Sequence, residues 1–400
     1  MIIREIKARQ VLDSRGTPTI EAEVNGFRAI APSGASVGAS EVKELRDNKK
    51  AFFGKSVSKA VDKARKLALK LESKNFSSIL EFDEFLKKEG KNKLGGNTTI
   101  ALSTAFCKAF AANQGISTQE VIAVNAFGRA RLPCPAANLI NGGLHANNGL
   151  FIQEHLLFPF KTKTFFEATQ CVAEVYHELK KIIQKKYNNT GIGDEGGFAP
   201  RLKSPKDAFK LIEKAVEETG WSKKVFLGVD CAASSFWKNN KYAFHGKRLS
   251  TEKLKEEYEE LSKEFKIKYF EDPFQENDFS AFAAFMDGKK LVVGDDLTVT
   301  NKDLIKKAVE EHAIKGVIIK PNQIGLVTEA IDASKEARKA GLILTASHRS
   351  GDSEDFFLSD FSSGLSVEFL KLGAPVRGER TAKYNELLRL EEAGTPYFHY

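Results

Sequence analysis

Seven apolar, strand-like runs in this chain each end on a polar residue able to do chemistry. They close at Glu154 (FIQE), Asp230 (VFLGVD), Glu271 (IKYFE), Asp295 (LVVGD), Lys320 (GVIIK), Ser347 (LILTAS) and Lys371 (VEFLK). Three carboxylates gathered in one place repel each other and take up protons unless a cation holds them. Asp230, Glu271 and Asp295 therefore point to a hard divalent ion with oxygen ligands, most naturally Mg2+. Lys320 and Lys371, with His348-Arg349-Ser350 between them, make the opposite arc a pocket for a multiply charged anion. Arg349 beside Ser350 suits a phosphate, because a guanidinium grips two of its oxygens. A buried lysine such as Lys320 can serve as a base near neutral pH, since desolvation lowers its pKa; burial and a nearby Mg2+ are both expected to do so here. Glu195, in Gly193-Asp194-Glu195-Gly196-Gly197, has the backbone freedom to lie close against a substrate.

These residues need a scaffold that brings strand ends together. From Glu271 to Lys371 the strand ends are spaced 24, 25, 27 and 24 residues apart, with helical patterns at 303–312 and 328–340 between them. One strand plus one helix takes about that length, and a barrel of such units collects all its strand C-termini on one face. Residues 1–31 alternate as a small antiparallel sheet, with Ile20, Ala22 and Val24 on one face and Glu21 and Glu23 on the other. The small-residue stretch 31–40 has the composition of a mobile lid. Residues 55–125 read as helices, Val57, Val61, Ala64, Leu67, Ala68 and Leu71 forming one stripe, with Asn97 or Thr98 as the cap of the next helix. The expected organisation is an α/β protein in which a smaller α+β domain, 1–125, precedes a (β/α)8-type barrel, 126–400.

At 400 residues, 42% apolar and 28% charged, the chain has the composition of a soluble protein of two domains. The charged start MIIREIKARQ lacks a secretory core, so a cytoplasmic location is expected. Cys107, Cys134, Cys171 and Cys231 show no CxxC pairing and read as small core residues. The net charge of +8 is compatible with nucleic-acid binding, but its lysines fall in helix-like runs such as 180–186, where a solvated helix face accounts for them without a nucleic-acid partner.

SGASVGASE (33–41), NGGLHANN (141–148), GDEGGFAP (193–200), FEDPF (270–274), GDDLTVTN (294–301), IKPNQIG (319–325), SHRSGDSED (347–355) and KLGAP (371–375) occur in order. Together they resemble the motifs of enolases, and the likeness extends from DSRGTPT (13–19) to ERTAKYNELLR (379–389). The resemblance implies a barrel of the enolase kind that interconverts 2-phosphoglycerate and phosphoenolpyruvate, in glycolysis and gluconeogenesis. It implies Asp230, Glu271 and Asp295 as ligands of a first Mg2+, and Ser36 as helping to bind a second with the substrate. It implies Lys320 as the base at C2, Glu195 as the acid at the 3-hydroxyl, Glu154 as that acid's support, and Lys371 as a stabiliser of the intermediate. His145, Gln153, His348, Arg349 and Ser350 complete the implied substrate pocket. A homodimer is implied, with octamers also known in the family.

The sequence departs from the family pattern in places. Val37 replaces a Thr of the lid, Ser235 replaces an acidic neighbour in AASSFW, and His155 stands where Gln-Glu is usually followed by Phe. Two rival readings are a wider-superfamily dehydratase or racemase acting on acid sugars, and a non-catalytic surface binder. The GDEGGFAP acid and the SHRSG anion site favour the phosphorylated substrate over the first, and a scaffold has no physical need of the catalytic set.

Overall fold

The computed structural model describes residues 1–35, 38–48 and 50–398. The alternation near the N-terminus becomes a meander of β1 (Ile6–Leu12), β2 (Pro18–Val24) and β3 (Phe27–Ile30), all antiparallel. Asn25 and Gly26 both take positive φ, the conformation a two-residue hairpin with right-handed twist demands. Ile20, Ala22 and Val24 are buried, while Arg9, opposite Glu21 in the register, binds Glu21 and Glu23. Helices Ser58–Leu71 and Gly96–Gln114 cover this sheet, the second buried along nearly its whole length. Neither Asn97 nor Thr98 caps that helix, contrary to expectation: it starts at Gly96, and the Asn97 amide accepts from Leu45 N (2.9 Å) and donates to Leu45 O (3.2 Å). The next helix, Thr118–Asn125, opens on a capping box between Ser117 and Glu120.

The barrel strands are β4 (Cys134–Asn141), β5 (Glu154–Phe158) and β6 (Phe226–Asp230). After a small antiparallel sheet of β7 (Trp237–Lys238), β8 (Lys241–Phe244) and β9 (Lys247–Leu249) come β10 (Ile267–Glu271), β11 (Leu291–Gly294), β12 (Gly316–Ile319), β13 (Ile343–Ser347) and β14 (Phe369–Lys371). The ring closes in the order β10-β11-β12-β13-β14-β4-β5-β6. From β6 through β10 to β14, and across the seam from β14 to β4, neighbours are parallel. The repeat read from spacing is thus a true strand-and-helix repeat, with helices Lys302–Glu310 and Val327–Lys339 where helical periodicity placed them.

A second expectation fails in the barrel. Phe151-Ile152-Gln153 is not a strand ending at Glu154; Glu154 opens β5, which runs antiparallel to both β4 and β6. No crossover helix separates β4 from β5, so the chain can only return as a hairpin. Because the strand is reversed, its first residue sits at the rim where the other strands end. Register confirms the level: Glu154 is opposite Asp230, and Asp230 opposite Glu271.

Below that rim the ring is filled by aromatics. Phe158 lies 4.5 Å from Phe226, 4.9 Å from Tyr269 and 5.0 Å from Phe369, ring centre to ring centre. Gly228 leaves room for them, since a Cβ there would come within 2.7 Å of Phe158. This plug gives the charges above it an apolar floor, where electrostatic interactions are stronger than in water. The N-terminal half is stitched to the barrel rim by paired backbone bonds between Ser33 and Gly351 (2.8 and 2.9 Å) and by Val42 N to Gln323 O (2.9 Å). All four cysteines are free and buried. No helix among the described residues is long and apolar enough to cross a membrane.

Candidate active site

β12 ends at Ile319, and Lys320 immediately follows, held by its backbone N–H on Thr300 Oγ1 (2.9 Å). Its ammonium pairs with Asp295, which lies one residue beyond β11 and also accepts from Gln323 Nε2 (2.9 Å). Gln323 is in turn oriented by Thr300 Oγ1, which donates to its Oε1 at 2.7 Å. The net shift of Lys320 is opposite to the one expected from burial alone. Burial does push it down, but Asp295 outweighs that and the group is raised, while Lys320 and Lys371 hold Asp295 below the usual carboxylate range against its own burial.

The centre of the rim belongs to Lys371. Its Nζ is 2.8 Å from Glu271, 3.0 Å from Glu154 and 3.1 Å from Asp230, and it is 2% exposed. Burial works against its charge, yet Asp230, Glu154 and Glu271 raise its pKa well above normal. Asp230 also takes Ala232 N–H (3.0 Å) and Gln153 Nε2 (3.3 Å); Glu271 takes the Tyr269 hydroxyl (2.9 Å).

Asp230, Glu271 and Asp295 thus share one rim but do not converge on a point, because Lys371 stands between the first two and Asp295 turns to Lys320. Among the described residues, two other triplets bring ligand atoms within 4.8 Å of one another: Asp272, Asp295 and Asp296, and His145, Glu154 and Glu195. The first is braced internally, Asp272 accepting from the N–H groups of Asp295 (2.9 Å) and Asp296 (2.7 Å). The expected trio nevertheless fits a hard cation on its donor chemistry. All three are buried oxygen donors, and Glu271 is pushed up to about 8 by burial and by Asp230, despite Lys371. A carboxylate forced to keep a proton in a polyanionic pocket is a mark of missing positive charge.

Across the rim lies a second pair of acids. Glu195 sits in a turn whose neighbours must be glycine: a Cβ on Gly193 would lie 2.6 Å from His145 O. It accepts from Asn138 Nδ2 (3.0 Å), with His145 Nδ1 at 3.5 Å and His348 Nε2 at 3.3 Å. Although burial disfavours its charge, His145 and His348 hold Glu195 well below the usual carboxylate range. Glu154 moves the other way, raised by burial and by the charge of Glu195 despite Lys371. Neighbouring acids are thus pushed in opposite directions, Glu154 up and Glu195 down.

Arg349 is buried, and Glu41 receives its two terminal nitrogens at 2.9 and 3.1 Å. Both residues line a cavity of about 900 Å³ with Arg15, Lys43, Arg46, Lys55, Asn322 and Asp194, a largely basic vestibule between the N-terminal loops and the barrel rim. Ser350 Oγ accepts from Arg15 Nη1 (3.2 Å). Ser36 and Val37 lie outside the described residues.

Sequence reasoning missed four participants. Glu41 and Gln323 lie inside motifs quoted above, but nothing in their spacing pairs one with Arg349 and the other with Asp295. Asn138 drew no reading from the sequence, and Arg380, at 0% exposed, lies inside the quoted stretch 379–389 with nothing to mark it out.

Two family models cover nearly the whole chain. Residues 3–122 match the one described as "Enolase, N-terminal domain". Residues 129–399 match "Enolase, C-terminal TIM barrel domain".

Proposed function

The chain belongs to the enolase family, and from that membership and the geometry of the rim we propose that it reversibly dehydrates 2-phosphoglycerate to phosphoenolpyruvate with Mg2+, as a cytoplasmic enzyme of glycolysis and gluconeogenesis. The observation that carries the reading is the division of the rim. Lys320, an ammonium paired with Asp295 that would become a proton-accepting amine once a cation took over that carboxylate, stands by β12, and two acids pushed in opposite directions, Glu154 up and Glu195 down, stand by β5. Elimination of water needs both: removal of a proton from one carbon and protonation of the hydroxyl leaving its neighbour.

In this reading Asp230, Glu271 and Asp295 hold one Mg2+, and Ser36 helps hold a second that arrives with substrate. The ions supply positive charge to the substrate carboxylate as its α-proton departs, which is otherwise too weakly acidic to remove. Lys320 takes the proton from C2. Glu195 delivers one to the 3-hydroxyl, drawing on the proton held by Glu154, while His145 and Gln153 orient that side. Lys371 stabilises the developing negative charge. Arg349 and Ser350, with His348, receive the phosphate once Glu41 gives up the guanidinium. Residues 1–125 then act as the lid-bearing domain and 126–400 as the catalytic one, in a homodimer that light scattering would distinguish from an octamer.

The test is direct. Purified protein with Mg2+ and 2-phosphoglycerate is expected to raise the ultraviolet absorbance of phosphoenolpyruvate, and to leave acid sugars unchanged. Failure on the first substrate overturns the reading; turnover of an acid sugar would transfer it to the wider superfamily.

A further inference from the structure

Helix Gly378–Glu392 carries one residue that none of these roles uses. Arg380 is fully buried, and its guanidinium is spent on the catalytic loops. Nη1 lies 2.6 Å from His348 Nδ1 and 2.8 Å from Arg349 O; Nη2 lies 2.8 Å from Ser350 O and 3.2 Å from Asp194 O. Asp352 Oδ2, at 3.5 Å, supplies counter-charge, and Lys383 Nζ holds the other oxygen of that carboxylate at 2.8 Å. One side chain thus spans the loop before Glu195 and the loop of His348, Arg349 and Ser350.

The chemistry of the contact with His348 is restrictive. A guanidinium offers donors only, so the ring nitrogen it meets must present a lone pair. A proton on Nδ1 would set N–H against N–H at 2.6 Å. The imidazole proton therefore resides on Nε2, and Nε2 is the nitrogen that faces Glu195 Oε1 at 3.3 Å. That approach lacks the alignment of a full hydrogen bond, as catalytic contacts without substrate often do. Gly373 completes the packing: a Cβ there would come within 2.5 Å of Glu195 O, 3.1 Å of the His348 ring and 3.3 Å of Arg380 Cδ.

We propose that Arg380 is a positioning residue for the elimination: it locks His348 in the Nε2–H tautomer and ties the backbone just before Glu195 to that of Arg349 and Ser350, so that a neutral imidazole donates to the acid. The kinetic part rests on the reading of Glu195 as that acid; the tautomer part does not. A helix anchor alone would need the carbonyl contacts and would be indifferent to which nitrogen of His348 carries the proton.

The experiment reads the tautomer and the rate separately. In wild-type protein carrying ¹⁵N-histidine, with His348 assigned by its loss in His348→Gln, nitrogen shifts between about pH 6 and 8 are expected to show Nε2 protonated and Nδ1 bare. A protonated Nδ1 overturns the proposal, whether or not the enzyme makes phosphoenolpyruvate. Arg380→Met, which keeps the stem and loses every donor, is expected to mix the tautomers and lower kcat about 100-fold, the cost of small misplacement at a reacting centre, with KM moving less than about threefold. Arg380→Lys, which keeps a donor and the charge, is expected to recover about tenfold of that loss. Wild-type kcat in Arg380→Met, or a loss of kcat with the tautomer unchanged, refutes the positioning role. Should both variants fail to fold, the wild-type spectrum still decides.

Discussion

Lys371 lends itself to a quantitative test, because its ammonium touches three acids on three different strands of the ring. At contacts of 2.8, 3.0 and 3.1 Å to Glu271, Glu154 and Asp230, an ionised carboxylate attracts the ammonium by roughly 5 to 6 kcal/mol at an effective dielectric constant of 20, and Glu271 and Glu154, both pushed up, contribute only as far as they are ionised. Burial of the ammonium and of the carboxylates offsets most of that sum. What survives when one partner of a buried pair is deleted is about 3 to 5 kcal/mol, since the remaining charges are left uncompensated. Lys371→Met keeps the length of the side chain and removes only the charge. The variant without divalent metal is expected to melt roughly 6 to 10 °C below wild type, at about 2 °C per kcal/mol for a domain of this size. The assay is thermal unfolding followed by circular dichroism in EDTA, repeated with excess Mg2+. Metal should shrink the deficit, because an ion among Asp230, Glu271 and Asp295 replaces the missing positive charge. Equal stability of Lys371→Met and wild type in EDTA would refute the picture of Lys371 as the counter-ion of the carboxylate ring.

Lys320→Ala is expected to lower kcat by about 10² to 10⁴, the usual worth of a general base, with substrate still bound; undiminished exchange of the C2 proton in deuterated water would reassign the base. His155 is buried with its pKa pushed down to about 4, chiefly by burial. Unfolded, it titrates near 6.5, so the unfolded chain binds more protons between those values and stability falls as pH drops through that window, by about 3 kcal/mol in all. His155→Phe should abolish that part of the slope, and identical slopes in urea titrations between pH 4 and 6.5 would refute it. Gly373→Ala places a Cβ 2.5 Å from Glu195 O at a φ of +76°. Loss of about 1 to 3 kcal/mol of stability is expected, together with a fall in kcat; a crystal structure with Glu195 and His348 unmoved and full activity would count against it.

Much of the architecture could be read from the chain because strand-plus-helix units have a characteristic length, and the runs closing at Asp230, Glu271, Ser347 and Lys371 end on the last residue of a strand. The direction of β5 could not. An apolar run looks the same read either way along a strand, and the run before Glu154 turned out to be loop. The meeting of Asp230, Glu271, Asp295, Lys320 and Lys371 at one rim followed from the repeat, but the pairings among them did not. Whether Lys320 is raised or lowered in pKa depends on its distance to Asp295 against its depth of burial, and sequence contains neither. Arg380 was invisible for a similar reason. Its short contacts are three backbone carbonyls and a ring nitrogen, and its one distant carboxylate, Asp352 at 3.5 Å, is shared with Lys383, so no complementary residue at a telling spacing signals the contact.

The reversal of β5 also bears on the order in which the molecule can assemble. Asn138, His145, Gln153 and Glu154 all lie on one β4–β5 hairpin, whose connection, 142–153, closes at smaller entropic cost than the links between strands far apart in the chain. The residues around Lys320 and Lys371 depend on strands far apart in the chain, and β14 finds β4 only when the ring shuts. Local contacts form faster than distant ones. During refolding the acid-bearing hairpin should therefore gain protection from hydrogen exchange early, while the amine-bearing strands gain it late. Catalytic competence would then return only with the last event, the closing of the seam that brings Lys371 against its three acids.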